Sequence, residues 1–422
     1  MQELSFEPNA MKALQIMQKT NTSLYLTGKA GAWKSTLINY FISKTNKRFV
    51  LLWTTWISAI NIWGQTIHKF FGISPKSKKN YMHHEVYDII LKTDIFIIDE
   101  ISMMRADLHD MINDRMQKVM QNDLYMWWKQ FIFVWDLFQL PPVPERDELL
   151  IEHYQKFYKW LFFFDRINYK KENFEIIELQ RVYRQDNPQF INMLNRVRIW
   201  DNSSDLLKYF NQRLITPELA NPKAILIATT NSIVDWKNIN ELEKLPWKEA
   251  ISIAFIQWDY PVEIYPTEKV IKIKVWARVM FTVNEKTWLY VNGTLWTVID
   301  IKLNDWWYIN SAKIETDDWA ILDIWKNIWF NSPWDDDLWN PIIDWTFAQL
   351  PFKLAFAITI HKVQWKSFDN VIIDLWWGAF ADGQVYVALS RCRSYEWLQL
   401  LKPIKAKDIK VSNEVINFLK NE

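Results

Sequence analysis

Hydrophobic positions in this chain gather into short runs separated by helix-like stretches. Residues 22–28 (TSLYLTG) are β-prone and pass through a turn into a helix-like segment over 34–43. A second β run covers 48–54, a third (94–98, DIFII) ends at Asp99-Glu100, and a fourth (130–134, QFIFV) ends just before Asp136. With a helical stretch at 103–120 between them, these runs predict a parallel sheet with crossover helices. The alternation returns later, with apolar runs at 223–229 and 370–375 and helical stretches at 187–198 and 383–391. Residues 270–350 change character: they are β-prone, carry acidic loops (ETDD, WDDD) and hold a turn signal at Asn292-Gly293. They read as a small β domain inserted into the second of two α/β domains. No internal repeat, low-complexity tract or flexible linker interrupts the pattern.

Composition narrows the function classes. A length of 422 residues allows two to four domains, and 50% hydrophobic with 23% charged residues is globular. No apolar run reaches the ~18 residues that span a bilayer, so no membrane partner is expected. The polar, acidic N-terminus does not read as a secretory signal. Cys392 is the only cysteine, which forbids an internal disulfide and points to a cytoplasmic location. A net charge of +1 leaves nucleic-acid binding open, since a basic channel fits on a neutral protein.

The chemistry starts at Gly28-Lys29-Ala30-Gly31-Ala32-Trp33-Lys34-Ser35-Thr36. This segment fits G-x-x-x-x-G-K-[ST] everywhere except the second glycine, and it lies between a strand and a helix. The loop amides and the helix N-terminus would cradle ATP phosphates. Lys34 would neutralise the β- and γ-phosphates, and the Ser35 hydroxyl would ligate Mg²⁺. Trp33 is out of place, because an indole obstructs the close approach of backbone to phosphate that glycine permits.

Asp99 and Glu100 end a buried strand about 65 residues further on. Such a pair also fits a solvated strand end, but after a phosphate loop it reads as a Walker B pair. Asp99 would hold Mg²⁺, and Glu100 would orient the attacking water. Asp136 and Gln139 in WDLFQL sit where a γ-phosphate sensor would lie. Arg184 in VYRQ and Arg391 in VALSRCR are either surface ion-pair residues or guanidiniums reaching the γ-phosphate from a facing domain.

In order, GKAGAWKST, GQTIHKFF (64–71), IIDEISMMRADL (97–108), VWDLFQLPPV (134–143), YRQ (183–185), VNGTLWTV (291–298), ITIHKVQWKSF (358–368) and GQVYVALSRCRS (383–394) resemble the motifs of petite-integration-frequency (PIF) helicases. These belong to the 5′-to-3′ branch of helicase superfamily one and are relatives of RecD-like enzymes. The resemblance runs from about residue 5 to 400. It implies an α/β fold of two RecA-like P-loop domains with a small SH3-like β subdomain. Residues 1–180 would form the first domain, 181–274 with 351–405 the second, 275–350 the insertion and 406–422 a C-terminal tail. A strand-separating element would lie at 74–84. The ATP-site positions implied are Lys34, Ser35, Asp99, Glu100, Gln139, Arg184, Gln364 and Arg391. Thr66, His68, Phe70, His361 and Lys362 would line a path for single-stranded DNA, with core packing the other reading for His68 and Phe70. The implied activity is ATP-dependent unwinding by a monomer at duplex/single-strand junctions, in replication, repair or recombination.

The departures from that pattern are nearly all of one kind. Trp33, Trp56, Trp63, Trp135, Trp276, Trp296 and Trp365 each stand where the family has glycine. The chain holds 27 tryptophans and 7 glycines, together 34, against about 30 glycines expected at ~7%. A UGA codon meaning glycine in the native host, and rendered here as tryptophan, accounts for both facts. Taken literally, the chain would instead be an inactive relative that binds single-stranded DNA.

Overall fold

The computed structural model describes residues 6–54, 65–73, 84–122, 129–143, 148–159, 161–165, 174–222, 224–257, 265–283, 285, 289–290, 292–316, 320–331, 334–335, 341–342, 345–364 and 366–421. The chain forms two compact units, Met1–Thr229 with Ile360–Glu422, and Thr230–Thr359. The expected strand-separating loop (residues 74–83 of it), Trp56, Trp63 and Trp365 lie outside the described residues.

The first unit contains two parallel sheets. One is built from β1 (Ser23–Gly28), β2 (Phe49–Trp53), β3 (Gln65–Thr66), β4 (Ile95–Asp99), β5 (Gln130–Trp135) and β6 (Phe174–Leu179). Their order is β3-β2-β4-β5-β1-β6, and every pairing is parallel. The central strands read as unbroken apolar runs because both faces are covered. On one face Leu24, Leu26, Ile95, Ile97, Ile132 and Val134 pack against α1 (Pro8–Lys19) and α2 (Lys34–Lys44). On the other, Tyr25, Phe96, Ile98, Phe131 and Phe133 meet Leu108, Ile112 and Met116 of the helix Ala106–Met120. The 406–422 stretch carries a helix, Asn413–Asn421, whose Val415 joins that second face and whose Phe418 stacks on Phe164 at 4.3 Å.

In the second sheet Val371–Asp374 lies between β7 (Ile225–Ala228) and Leu398–Leu400, again in parallel. The helices Pro188–Arg198 and Gln384–Ser390 accompany it, and Asn187 caps the first by accepting from the Phe190 amide at 3.0 Å. Two parallel α/β layers therefore stand where the alternating runs predicted them.

The second unit is different in kind. Arg278–Phe281, Leu295–Leu303, Ile309–Glu315, Ile321–Trp325 and Phe352–Leu354 make a five-stranded sheet in which all pairings are antiparallel. Val279, Phe281, Val298, Ala312, Ile314 and Phe352 form its core. The helix Asn231–Lys244 belongs to the same compact unit, so this body is wider than the 270–350 stretch that changes character in the sequence.

Backbone dihedrals bear directly on the tryptophans. Seven described non-glycine residues have positive φ, and five are tryptophan: Trp33 (57°), Trp200 (68°), Trp276 (70°), Trp307 (62°) and Trp376 (49°). A bulky side chain in this region costs about 1–2 kcal/mol per residue, whereas glycine enters it freely. Trp135 stands apart. It ends β5 in extended backbone, is 1% exposed, and packs against Tyr25, Phe163 and Phe418. Its indole N–H has no partner among the described residues.

Candidate nucleotide and DNA site

The phosphate loop leaves β1 at Gly28 and enters α2 at Lys34. Gly31 has φ 83°, and a Cβ there would come within 2.5 Å of the Arg184 Cβ, so only glycine lets the 182–184 segment lie this close. The Gly31 carbonyl accepts from the Tyr183 amide at 2.9 Å. The Trp33 ring stacks on Tyr183, with centroids 3.7 Å apart and planes 12° from parallel. Lys34 Nζ donates to the carbonyls of Gly28 (2.6 Å) and Lys29 (3.2 Å), so its ammonium is folded onto the loop itself. Burial lowers the Lys34 pKa, against the raising influence of Asp136, Glu100 and Asp99.

Asp99 and Glu100 sit at the end of β4 beside this loop. Burial raises Asp99, opposed by the Glu100 amide, which donates to Asp99 Oδ1 at 2.8 Å, by Lys34 and by the Ser35 hydroxyl. Burial and then the Asp99 charge push Glu100 upward, a direction suited to a group that must take a proton from water. A carboxylate and a hydroxyl together are what Mg²⁺ uses when phosphate oxygens and water complete its shell, so Ser35 and Asp99 fit that ion.

Asp136 is the hub. Its Oδ1 accepts from Arg198 Nε at 3.2 Å, and its Oδ2 accepts from the Tyr386 hydroxyl at 3.1 Å and Gln139 Nε2 at 3.3 Å. Burial would raise this carboxyl, but Arg198 and Lys34 outweigh it and hold the group below its usual range. Gly383, at φ 72°, starts the helix Gln384–Ser390 where a Cβ would press into the Phe138 and Gln139 carbonyl oxygens. The second sheet's helix is thereby seated on the end of the first sheet. Phe138 also lies under the Arg198 guanidinium at 4.3 Å.

The two expected arginines come together near this hub. Burial lowers Arg391, Arg184 lowers it further, and the Glu100 charge pulls the other way. The Arg391 guanidinium is held within the protein: Nε donates to Val387 O (2.9 Å) and Nη2 to Ser390 Oγ (2.7 Å) on its own helix, while Nη1 donates to the Gln364 carbonyl and to Lys366 O (3.1 Å). Arg184 donates to Ser390 O at 3.5 Å, and burial lowers its pKa too. Gln364 is 1% exposed with both amide atoms unpartnered among the described residues, and Gln139 Oε1 is likewise unpartnered. Leaving such groups unpaired costs about 1–3 kcal/mol each, so they are suited to a polar ligand.

The residues of the implied DNA path are dispersed in character. Thr66 ends β3, paired in register with Trp53 of β2. His68 is half-buried, its pKa lowered by burial and then by Arg105. Phe70 is 4% exposed and packs edge-on to Phe71 and Phe96 at 4.9 and 6.3 Å, so its ring serves the core. His361 and Lys362 occupy the turn Ile360–Val363, and His361 lies over Phe380 at 6.4 Å with its pKa lowered by burial. Tyr386 and Arg198 escaped the sequence reading. Tyr386 lies inside the GQVYVALSRCRS motif, a signal that was present but pointed only to its arginine.

A family model for PIF1-like helicases matches residues 8–205. The ATP-dependent DNA helicase Pif1 of Campylobacter jejuni is 29% identical over 94% of each chain. The ATP-dependent DNA helicase PIF1 of Emericella nidulans is 26% identical, and the chain spans 62% of that longer protein. Among solved structures, Pif1 helicase from Bacteroides in complex with ADP-AlF3 and single-stranded DNA superposes with a TM-score of 0.81 at 32% identity, covering 99% of this chain and 97% of that one. The Pif1 helicase of Candida albicans gives 0.83 at 25% identity, covering 99% of both.

Proposed function

The chain belongs to the PIF1-like helicase family, and on that premise we propose that it is an ATP-dependent DNA helicase that translocates on single-stranded DNA. One observation carries the reading to this chain's own residues: the phosphate loop on the first sheet is met directly by Tyr183 and Arg184, in the segment that leads from β6 toward the second sheet, and by Tyr386 on a helix of that second sheet. A site shared in this way makes phosphate occupancy and domain position one equilibrium, which is the requirement for a motor. Lys34 would reach the β- and γ-phosphates, and Glu100 would orient the attacking water. Gln139, Gln364, Arg184 and Arg391 would answer the γ-phosphate, the last only after releasing the carbonyls it now holds. Mg²⁺ at Ser35 and Asp99 would neutralise phosphate charge.

The finer assignments extend the same proposal. Translocation runs 5′ to 3′, and the protein works as a monomer at duplex/single-strand junctions in the cytoplasm, in replication, repair or recombination. The five-stranded antiparallel sheet corresponds to the family's SH3-like subdomain. His68, His361, Lys362 and Thr66 line the DNA path, while Phe70 shapes it from beneath. Glycine is the native residue at 33, 200, 276, 307 and 376, because those backbones already adopt glycine's conformation. The competing reading, an inactive single-strand-binding scaffold, draws on the Trp33–Tyr183 stack, which fills the space at the phosphate loop.

DNA-stimulated ATP hydrolysis separates the two. Activity in the Trp33→Gly chain that is abolished by adding Lys34→Ala establishes the motor. A folded, DNA-binding Trp33→Gly chain that hydrolyses nothing establishes the scaffold.

A further inference from the structure

The amide of Ala30, in the middle of the phosphate loop, donates its hydrogen to the Tyr386 hydroxyl oxygen at 2.8 Å. That hydroxyl donates its own hydrogen to Asp136 Oδ2 at 3.1 Å. Tyr386 is 3% exposed and lies 356 residues away along the chain, on the helix Gln384–Ser390. Its oxygen therefore stands on a phosphate-loop donor, and its proton holds the carboxylate that also grips Arg198 and Gln139. An amide has one hydrogen to give, so Ala30 serves Tyr386 or a phosphate oxygen but not both at full strength. Burial and the Asp136 charge push the Tyr386 phenol well above its usual range, which keeps it a donor to Asp136 throughout the physiological range.

Resting on the ATPase reading above, we infer that Tyr386 is a positioning residue that competes with nucleotide phosphate for the Ala30 amide and reports the outcome to Asp136. When a phosphate oxygen takes the amide, the hydroxyl loses its anchor on the loop. The Tyr386–Asp136 bond is then free to shift, and with it Arg198 at the end of the helix Pro188–Arg198. The helix that carries Tyr386 also ends at Ser390, whose oxygens bond Arg184 and Arg391. Displacing one hydroxyl thus reaches both arginines through a single short helix. Gly383 keeps that helix pressed on the 138–139 backbone, so its movement and that of the Asp136 loop are joined.

The test uses the full chain carrying Trp33→Gly as parent, with Tyr386→Phe added to it. Phenylalanine keeps the ring and removes the oxygen. With the competitor gone, Mg-ADP should bind roughly 2- to 12-fold more tightly, the effect of one net hydrogen bond, while DNA-stimulated kcat falls. A tyrosine that merely supported the fold would instead lower the melting temperature and leave the ADP Kd unchanged. Unchanged or weaker ADP affinity in a folded Tyr386→Phe protein overturns the inference. Should that variant not fold, 3-fluorotyrosine at position 386 of the parent provides the reading: its fluorine resonance should move on ADP titration. A resonance that stays fixed while ADP binds also overturns it. Failure of the parent to bind ADP at all would sink the ATPase reading first, and this inference with it.

Discussion

Replacing Trp33 by glycine is the sharpest perturbation available. Trp33 sits at φ 57° and ψ 26°, directly before the first residue of α2. Relief of the left-handed backbone is worth about 1–2 kcal/mol. Against it stands the ring stack on Tyr183, worth about 0.5–1.5 kcal/mol beyond its buried area. The two nearly cancel, so the melting temperature should hardly move. Nucleotide binding has no such cancellation. An indole at the mouth of the loop must be pushed aside, and overpacking of this kind costs about 1–3 kcal/mol. That corresponds to roughly 5- to 150-fold in affinity. Titration of a fluorescent ATP analogue with Mg²⁺ into both proteins, beside thermal melts, reads both quantities. Equal affinities together with a markedly lower melting temperature in Trp33→Gly would refute the reasoning, since the indole would then be a native part of the fold.

Other perturbations follow from the same structure. Trp200→Gly and Trp276→Gly remove exposed rings from left-handed backbone and should each stabilise the protein by about 1 kcal/mol, read in denaturant titration; loss of stability at both would contradict the glycine assignment. Arg198→Met leaves Asp136 charged and buried without its guanidinium and should cost about 3–5 kcal/mol, part of it recovered by adding Asp136→Asn; a cost under about 1 kcal/mol would mean the pair is solvated. Cys392 is fully buried and its thiol is pushed up to about 11 by burial. The protonated form therefore dominates below that pH, and alkylation in the native protein at about pH 7–8 should be slow and accelerate sharply on unfolding; rapid native labelling would show that the second sheet opens readily.

Much of the architecture was legible because its signals are local. Apolar runs at 94–98 and 130–134 lie in central strands covered on both faces, so they could not be mistaken for amphipathic surface. β6 was missed because the acidic residues Glu175 and Glu178 break FEIIEL into short apolar pieces at the sheet's edge. Phe70 illustrates the opposite limit: its motif suggests a DNA path, yet an aromatic in GQTIHKFF fits a core equally well, and only packing against Phe71 and Phe96 decides.

The sequence by itself determined the alternation of apolar strands with helices, the phosphate loop from Gly28 to Thr36, the Asp99-Glu100 pair and the anomaly of the tryptophans. These depend on neighbours within a few residues or on counts along the chain. The tertiary structure alone decided which groups meet: Ala30 with Tyr386, Asp136 with Arg198, Arg391 with the carbonyls around Gln364. Such contacts join segments up to hundreds of residues apart, and no spacing rule encodes them. It also decided which tryptophans are conformationally foreign, because a left-handed φ is a property of the folded backbone that composition cannot express.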